Sequence, residues 1–293
     1  MDKNEKGKKE RTKKSNEKGM YKLKEWVQPD KLDWQMLCRN PKAIRLLEQN
    51  QDKIDWHELS GNPEACALLE RNLDKVCWYN LSKNPCAVSI LKKNRSKAIC
   101  MTLCENSNPQ AISIIENPER IVWWRLSANP EAIHLIEANL DKVDWSCLSL
   151  NPAAIHILEA NPEKIGWLFL SKNPAAIHLL EANLDKINWA NLSSNPAAIR
   201  LLEANQDKIN WEILSSNPAA IHLLEANRDK IDWHQLYFNP EGIQILETLQ
   251  AVDWEAISFN QGIFDYDYAN MTRPFTEELL AVIYHPDNIS RLF

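Results

Sequence analysis

The sequence predicts an all-α protein: an α-solenoid of about ten 22-residue two-helix repeats, with a basic N-terminal tail and a helical C-terminal cap. Three observations carry this. Tryptophan recurs at Trp34, Trp56, Trp78, Trp123, Trp145, Trp167, Trp189, Trp211 and Trp233, with a slightly early copy at Trp254. An Asn-Pro pair follows each of the first nine, from Asn40-Pro41 to Asn239-Pro240. Strand signals are nearly absent between these landmarks. A fixed short period sustained over such a length is the signature of a stacked repeat array.

Each Asn-Pro reads as a helix start. In the unit that begins at Asn195, the asparagine is the N-cap and Pro196 takes the first helical position, where its missing N–H costs nothing. The helix is expected to run to Ala204. Asn205 ends it, a residue type that tolerates the left-handed conformation. A second, shorter helix starts at the Asp or Asn before tryptophan: Asp33, Asp55, Asp144, Asn188, Asn210, Asp232 and Asp253. Ile187 and Leu192 flank Asn188 with the spacing of a hydrophobic staple. On the longer helix Ala176, Ile177, Leu179 and Leu180 share one arc, with His178 and Glu181 opposite. Two helices this short cannot bury enough apolar area alone, so each unit must lean on its neighbours.

Three segments follow from this. Residues 1–25 form a basic tail, 26–254 the solenoid and 255–293 the cap. The tail holds ten basic against five acidic residues, about +5, which leaves about −11 for the rest of a chain of net charge −6. With almost nothing apolar before Met20, the tail is expected to be disordered. Lys8, Lys9, Arg11, Lys13 and Lys14 are its candidate contacts with nucleic acid or an acidic partner, set against a merely solubilising role. The acidic body argues against wrapping nucleic acid along its length. Residues 26–33 are expected to cover the first open end, and aromatic residues after 255 the last. The stretch from Cys77 to Trp124 is irregular: Cys100 replaces tryptophan, and Asn108-Pro109 stands where the next pair is expected.

The repeat Trp-x-x-Leu-Ser-x-Asn-Pro-x-Ala-Ile-x-Leu-Leu-Glu-x-Asn-x-Asp-Lys-Ile resembles the short-repeat proteins encoded in many copies by giant, nucleocytoplasmic large DNA viruses. Ile263-Phe264-Asp265-Tyr266-Asp267-Tyr268, followed by Glu277-Glu278-Leu279-Leu280 and His285-Pro286, is similar to the C-terminal cap of that family. The resemblance covers about 30–293 and implies a viral protein made in an infected cell. It implies no reaction.

No apolar run is long enough to span a membrane, and no secretory signal is present. The seven cysteines show no Cys-x-x-Cys pair. They read as reduced thiols in a host cytoplasm or nucleus, with the virion a further setting. No Gly-rich phosphate loop, His-Glu-x-x-His or paired nucleophile and base occurs. The expectation is therefore no enzyme, no cofactor and no metal.

The candidate surfaces are repeated columns. His134, His156, His178, Arg200 and His222 are each followed three residues later by a glutamate, which places each pair side by side on one helix. This is a solvated face, with an anion-binding or pH-sensing role as the less favoured reading. Asp185-Lys186 and its copies suggest turn caps with ion pairs between units. The asparagines Asn139, Asn161, Asn183, Asn205 and Asn227 should cap helices. The two residues after each tryptophan vary and should point outward; Trp124, Leu168, Phe169 and Ile213 make them the leading partner patch. The reading is a non-enzymatic scaffold that binds another protein. The alternative is a virion-associated structural protein using the basic tail.

Overall fold

The computed structural model describes residues 21–249 and 252–267. Its backbone repeats eleven times, in units that begin at Trp34, Trp56, Trp78, Cys100, Trp123, Trp145, Trp167, Trp189, Trp211, Trp233 and Trp254. Each unit is one coil. The tryptophan helix comes first, as in Trp189–Ser193. Its N-cap Asn188 accepts from the Asn191 N–H at 2.8 Å, and every N-cap named from the sequence behaves alike.

The Asn-Pro segment caps as expected but does not open one continuous helix. Pro196–Ala198 is a 3₁₀ turn, and the α-helix runs only over Ile199–Glu203. The change falls at Ala198, with ψ near 6°. Ala198 is fully buried, so it must clear the neighbouring unit. A further 3₁₀ turn, Gln206–Lys208, returns the chain to the next tryptophan. Asn205 between them is not left-handed: its φ is −137°, and its Nδ2 donates to Leu201 O at 2.9 Å within the same unit. Among the described residues none has positive φ.

Three polar ladders run along the coils. In the first, the asparagine of Asn-Pro is wholly buried and fully used. Asn173 Oδ1 accepts from the Ala175 N–H, while its Nδ2 donates to Ser149 O and Asn151 O of the preceding unit at 3.0 and 3.1 Å. In the second, a buried serine donates to the tryptophan carbonyl four residues back and accepts from the residue before the next tryptophan, as Ser193 does with Trp189 O and the Asn210 N–H. Cys38 and Cys104 occupy this serine slot, their sulfurs in hydrogen-bonding contact with the backbone of Asp55 and Val122. Tyr237 occupies it too, its hydroxyl accepting from the Asp253 N–H at 2.8 Å. In the third, a lysine lies over the tryptophan that opens its own unit, such as Lys186 over Trp167 at 4.6 Å. The lysines of the Asp-Lys column are thus cation–π partners of the indoles rather than members of an ion-pair row.

The array has no open ends to cap, because the first unit stacks on the eleventh. Asn40 Nδ2 donates to Ser258 O and Asn260 O at 3.3 and 3.1 Å. The Asp33 N–H donates to Ser258 Oγ at 2.8 Å, and Lys31 lies 5.4 Å from the Trp254 ring centroid. All three ladders cross this seam, and the solenoid is a closed ring. β1 (Tyr21–Leu23) pairs antiparallel with β2 (Phe264–Tyr266), so residues 21–25 belong to the seam and not to a tail. Residues 26–33 lie between the two ends, with Trp26 against Trp254. Residues 255–267 complete the eleventh unit and β2. Gly262 stands in the slot held by Ala197 in the eighth unit, and here a Cβ would lie 2.8 Å from Pro240 O. The expected helix over 274–284 and the five basic tail candidates lie outside the described residues.

Two further expectations change. Cys66 and Cys86, on adjacent units, are joined by a disulfide; the reduced reading failed because contacts between units are not visible in Cys spacing. In the irregular region Asn106, not Asn108, takes the ladder position, donating to Ser82 O and Asn84 O at 2.9 and 3.0 Å. The extra residues follow the ladder position, and Asn108 caps the turn that they form.

Candidate protein-binding face

Between neighbouring units the closest backbone approaches are tryptophan helix to tryptophan helix and Asn-Pro turn to Asn-Pro turn. These elements therefore form the narrow, inner side of the ring. On each tryptophan helix the third and fourth residues after the indole are buried, as with Leu170 and Ser171. The first and fifth lie one helical turn apart on the opposite side. Where the fifth residues of four successive units, Phe259, Arg39, Gly61 and Lys83, come together, they line one pocket with Glu58 and Asn80.

Of the two residues that follow the indole slot, the first is the exposed one in every unit but the eighth, where Ala190 is half-buried. Trp124 is 51% exposed, Leu168 50%, Tyr79 42% and Met101 37%. The second is covered. Phe169 and Ile213, expected to be outward, are half-buried. This slot packs across the unit boundary. Asn191 Nδ2 donates to Leu168 O at 2.7 Å, and Asn80 Nδ2 donates to His57 O at 2.8 Å. Charges pair the same way between the second slot and the fifth slot of the unit before. Glu58 meets Arg39 at 3.5 Å, and Arg125 meets Glu105 with the signs reversed. Arg125 also lies 4.4 Å over the Trp124 ring, and its buried Nε has no partner. Arg39 in turn lies 5.5 Å over Phe259. The exposed apolar residues are thereby mounted on helices whose buried polar side-chain groups, Arg125 Nε apart, are already committed.

The histidine column lies on the other helix and is solvated. Its pairing runs mainly between units: His156 Nε2 meets Glu137 Oε1 at 2.9 Å, His178 meets Glu159 at 2.9 Å, and His222 meets Glu203 at 2.8 Å. Among the described histidines of the column, His134 shows the expected pairing within one helix, with Glu137 at 3.5 Å. The stacking brings each histidine nearer the preceding glutamate than its own. The hydrogen bond from His156 holds the Glu137 carboxyl below its ordinary range. Arg200 is exposed on the same face. Burial pushes the Cys38 thiol up to about 11, as suits a side chain that takes a serine's place in the interior.

Among the described residues no group of three or more His, Cys, Asp or Glu is placed to hold a metal ion, and no helix is long and apolar enough to cross a membrane. Comparison with family models, curated proteins and solved structures finds no match. The surfaces alone carry the functional argument.

Of the patch named from the sequence, Trp124 and Leu168 hold the same exposed slot two units apart, with Ser146 between them, while Phe169 and Ile213 are half-buried beside it. Tyr79 and Met101 belong to the same row. Their slot was legible in the repeat, but Met101 sits in the unit that has lost its tryptophan.

Proposed function

We propose that this chain is a non-enzymatic ring scaffold that binds another protein through the inner face of its tryptophan helices. The observation that supports the reading is the row Tyr79, Met101, Trp124 and Leu168, each at least 37% exposed in the same slot of the unit. Side chains of this kind, held on a rigid frame, lose little entropy on contact and bury much apolar area. The resemblance of the repeat to those of large DNA viruses makes an infected cell the setting in which the partner is sought.

The test is site-specific photo-crosslinking in cells that make the full chain. A benzophenone side chain at Leu168 should give discrete adducts that disappear on adding Trp124→Ala. The same group at His178, on the other helix, should give none. Adducts at His178 alone would move the docking surface to the histidine column.

A further inference from the structure

We infer that the segment filling this row is an extended peptide with an apolar side chain at every third residue and carboxylates between; this rests on the docking reading above. Along the third to seventh units the first slot of the tryptophan helix carries Tyr79, Met101, Trp124, Ser146 and Leu168, apolar in four of five, and the fifth slot carries Lys83 at one end and Lys172 at the other, with Glu105, Ala128 and Leu150 between. Glu105, the carboxylate of this arc, is tied to Arg125. Lys83 and Lys172 are exposed and, among the described residues, neither forms an ion pair; Glu58, which shares a pocket with Lys83, is held by Arg39. The apolar row is therefore bracketed by uncompensated positive charge. The opposite arc differs in both respects: its first slots hold Ala190, Glu212, His234 and Glu255, with no exposed carbon-rich side chain and two acids. A chain with net charge −6 thus keeps a cationic, apolar arc on its inner face. A cationic partner would meet Lys83 and Lys172 with like charge, and an uncharged apolar one would leave both unanswered.

Spacing sets the form of the ligand. Packed helices recur at about 8–10 Å. A peptide in the extended polyproline-II form rises about 3.1 Å per residue with three residues per turn, so every third side chain faces the ring and meets the next unit. Tyr79 to Leu168 spans four unit steps, which corresponds to about ten to thirteen residues of extended chain.

The experiment uses the full chain and a fluorescein-labelled peptide of twelve residues, with leucine or phenylalanine at every third position and glutamate between. A matched peptide has lysine in place of glutamate, and a third has serine in place of the apolar residues. Fluorescence anisotropy should show the acidic apolar peptide binding. Trp124→Ala should weaken it tenfold or more, as should Lys83→Glu combined with Lys172→Glu. These two lysines are exposed, and an unchanged thermal melt confirms that the variant folds. Tighter binding of the lysine peptide, lost on Trp124→Ala, would overturn the inference and leave the docking face standing. Binding of none of the peptides would also overturn it, and crosslinking at Leu168 then judges the face separately. Sedimentation showing self-association abolished by Trp124→Ala would overturn it in favour of a second copy of the chain.

Discussion

The interface between the seventh and eighth units and the interface between the eleventh and the first use the same parts. At the first, Asn195 Nδ2 reaches Ser171 O and Asn173 O, and on the seventh unit's side of the joint the Asn188 N–H reaches Ser171 Oγ and Lys186 lies over Trp167. At the second, Asn40, Asp33 and Lys31 repeat these contacts with Ser258, Asn260 and Trp254. The difference lies in the chain. One interface joins residues about one period apart, the other joins residues 218 to 225 apart. An internal interface cannot part without unwinding a coil. The seam can, and it adds to the ladders the pairing of β1 with β2, Trp26 Nε1 donating to Glu247 at 2.9 Å, Lys24 with Glu247 and Asp265, and Arg45 with the nearly buried Asp267. Side-chain chemistry that suffices where the backbone is continuous is reinforced where it is not.

The asparagine ladder gives the largest contrast. Asn173→Leu strips partners from two buried carbonyls and the Ala175 N–H, and should lower the unfolding free energy in urea by about 3–5 kcal/mol. Asn40→Leu removes the same set at the seam. There the groups regain water when the seam parts, so the loss should stay near about 1–2 kcal/mol. Equal losses would mean that the ring unfolds as one body with no weaker joint.

The serine ladder sharpens the comparison at single amides. Ser193→Ala orphans the Asn210 N–H inside the array and should cost about 1–2 kcal/mol. Ser258→Ala orphans the Asp33 N–H at the seam. Native-state hydrogen exchange should show Asp33 speeding far more than Asn210 does in Ser193→Ala, since the seam opens without global unfolding. Comparable acceleration at both sites would erase the distinction.

The lysine ladder should separate the two least. Lys186→Met keeps the stem and removes the charge over Trp167, which should lower stability by about 0.5–1 kcal/mol in thermal melts. Lys31→Met acts at 5.4 Å rather than 4.6 Å from its ring and should cost less. A larger effect at Lys31 would show that the seam depends on this contact more than the internal interfaces do.

The candidate face was partly legible for the same reason that the caps were. Trp124 and Leu168 sit one residue after the indole, and helix geometry alone turns that slot from the core. Phe169 and Ile213 sit one residue further on, at the edge of the face. Whether that edge is covered depends on the neighbour's side chains, as Asn191 on the Leu168 carbonyl illustrates. Reversal of the histidine pairing has a similar origin, because the stagger between coils decides which glutamate lies nearer.

The period, the tryptophan helices and their Asp or Asn caps were determined by the sequence itself, since each depends on atoms within a few residues along the chain. The second use of the Asn-Pro asparagine was not, because its carbonyl partners lie 22 to 24 residues back, and only stacking brings them near. Closure was decided wholly by the tertiary structure. A ring of eleven units requires each step to turn by about 33°, and a small error repeated at every step would leave the ends apart. No single residue type records that angle. It comes from how Leu, Ser, Asn and Ala pack between coils, summed around the whole circuit.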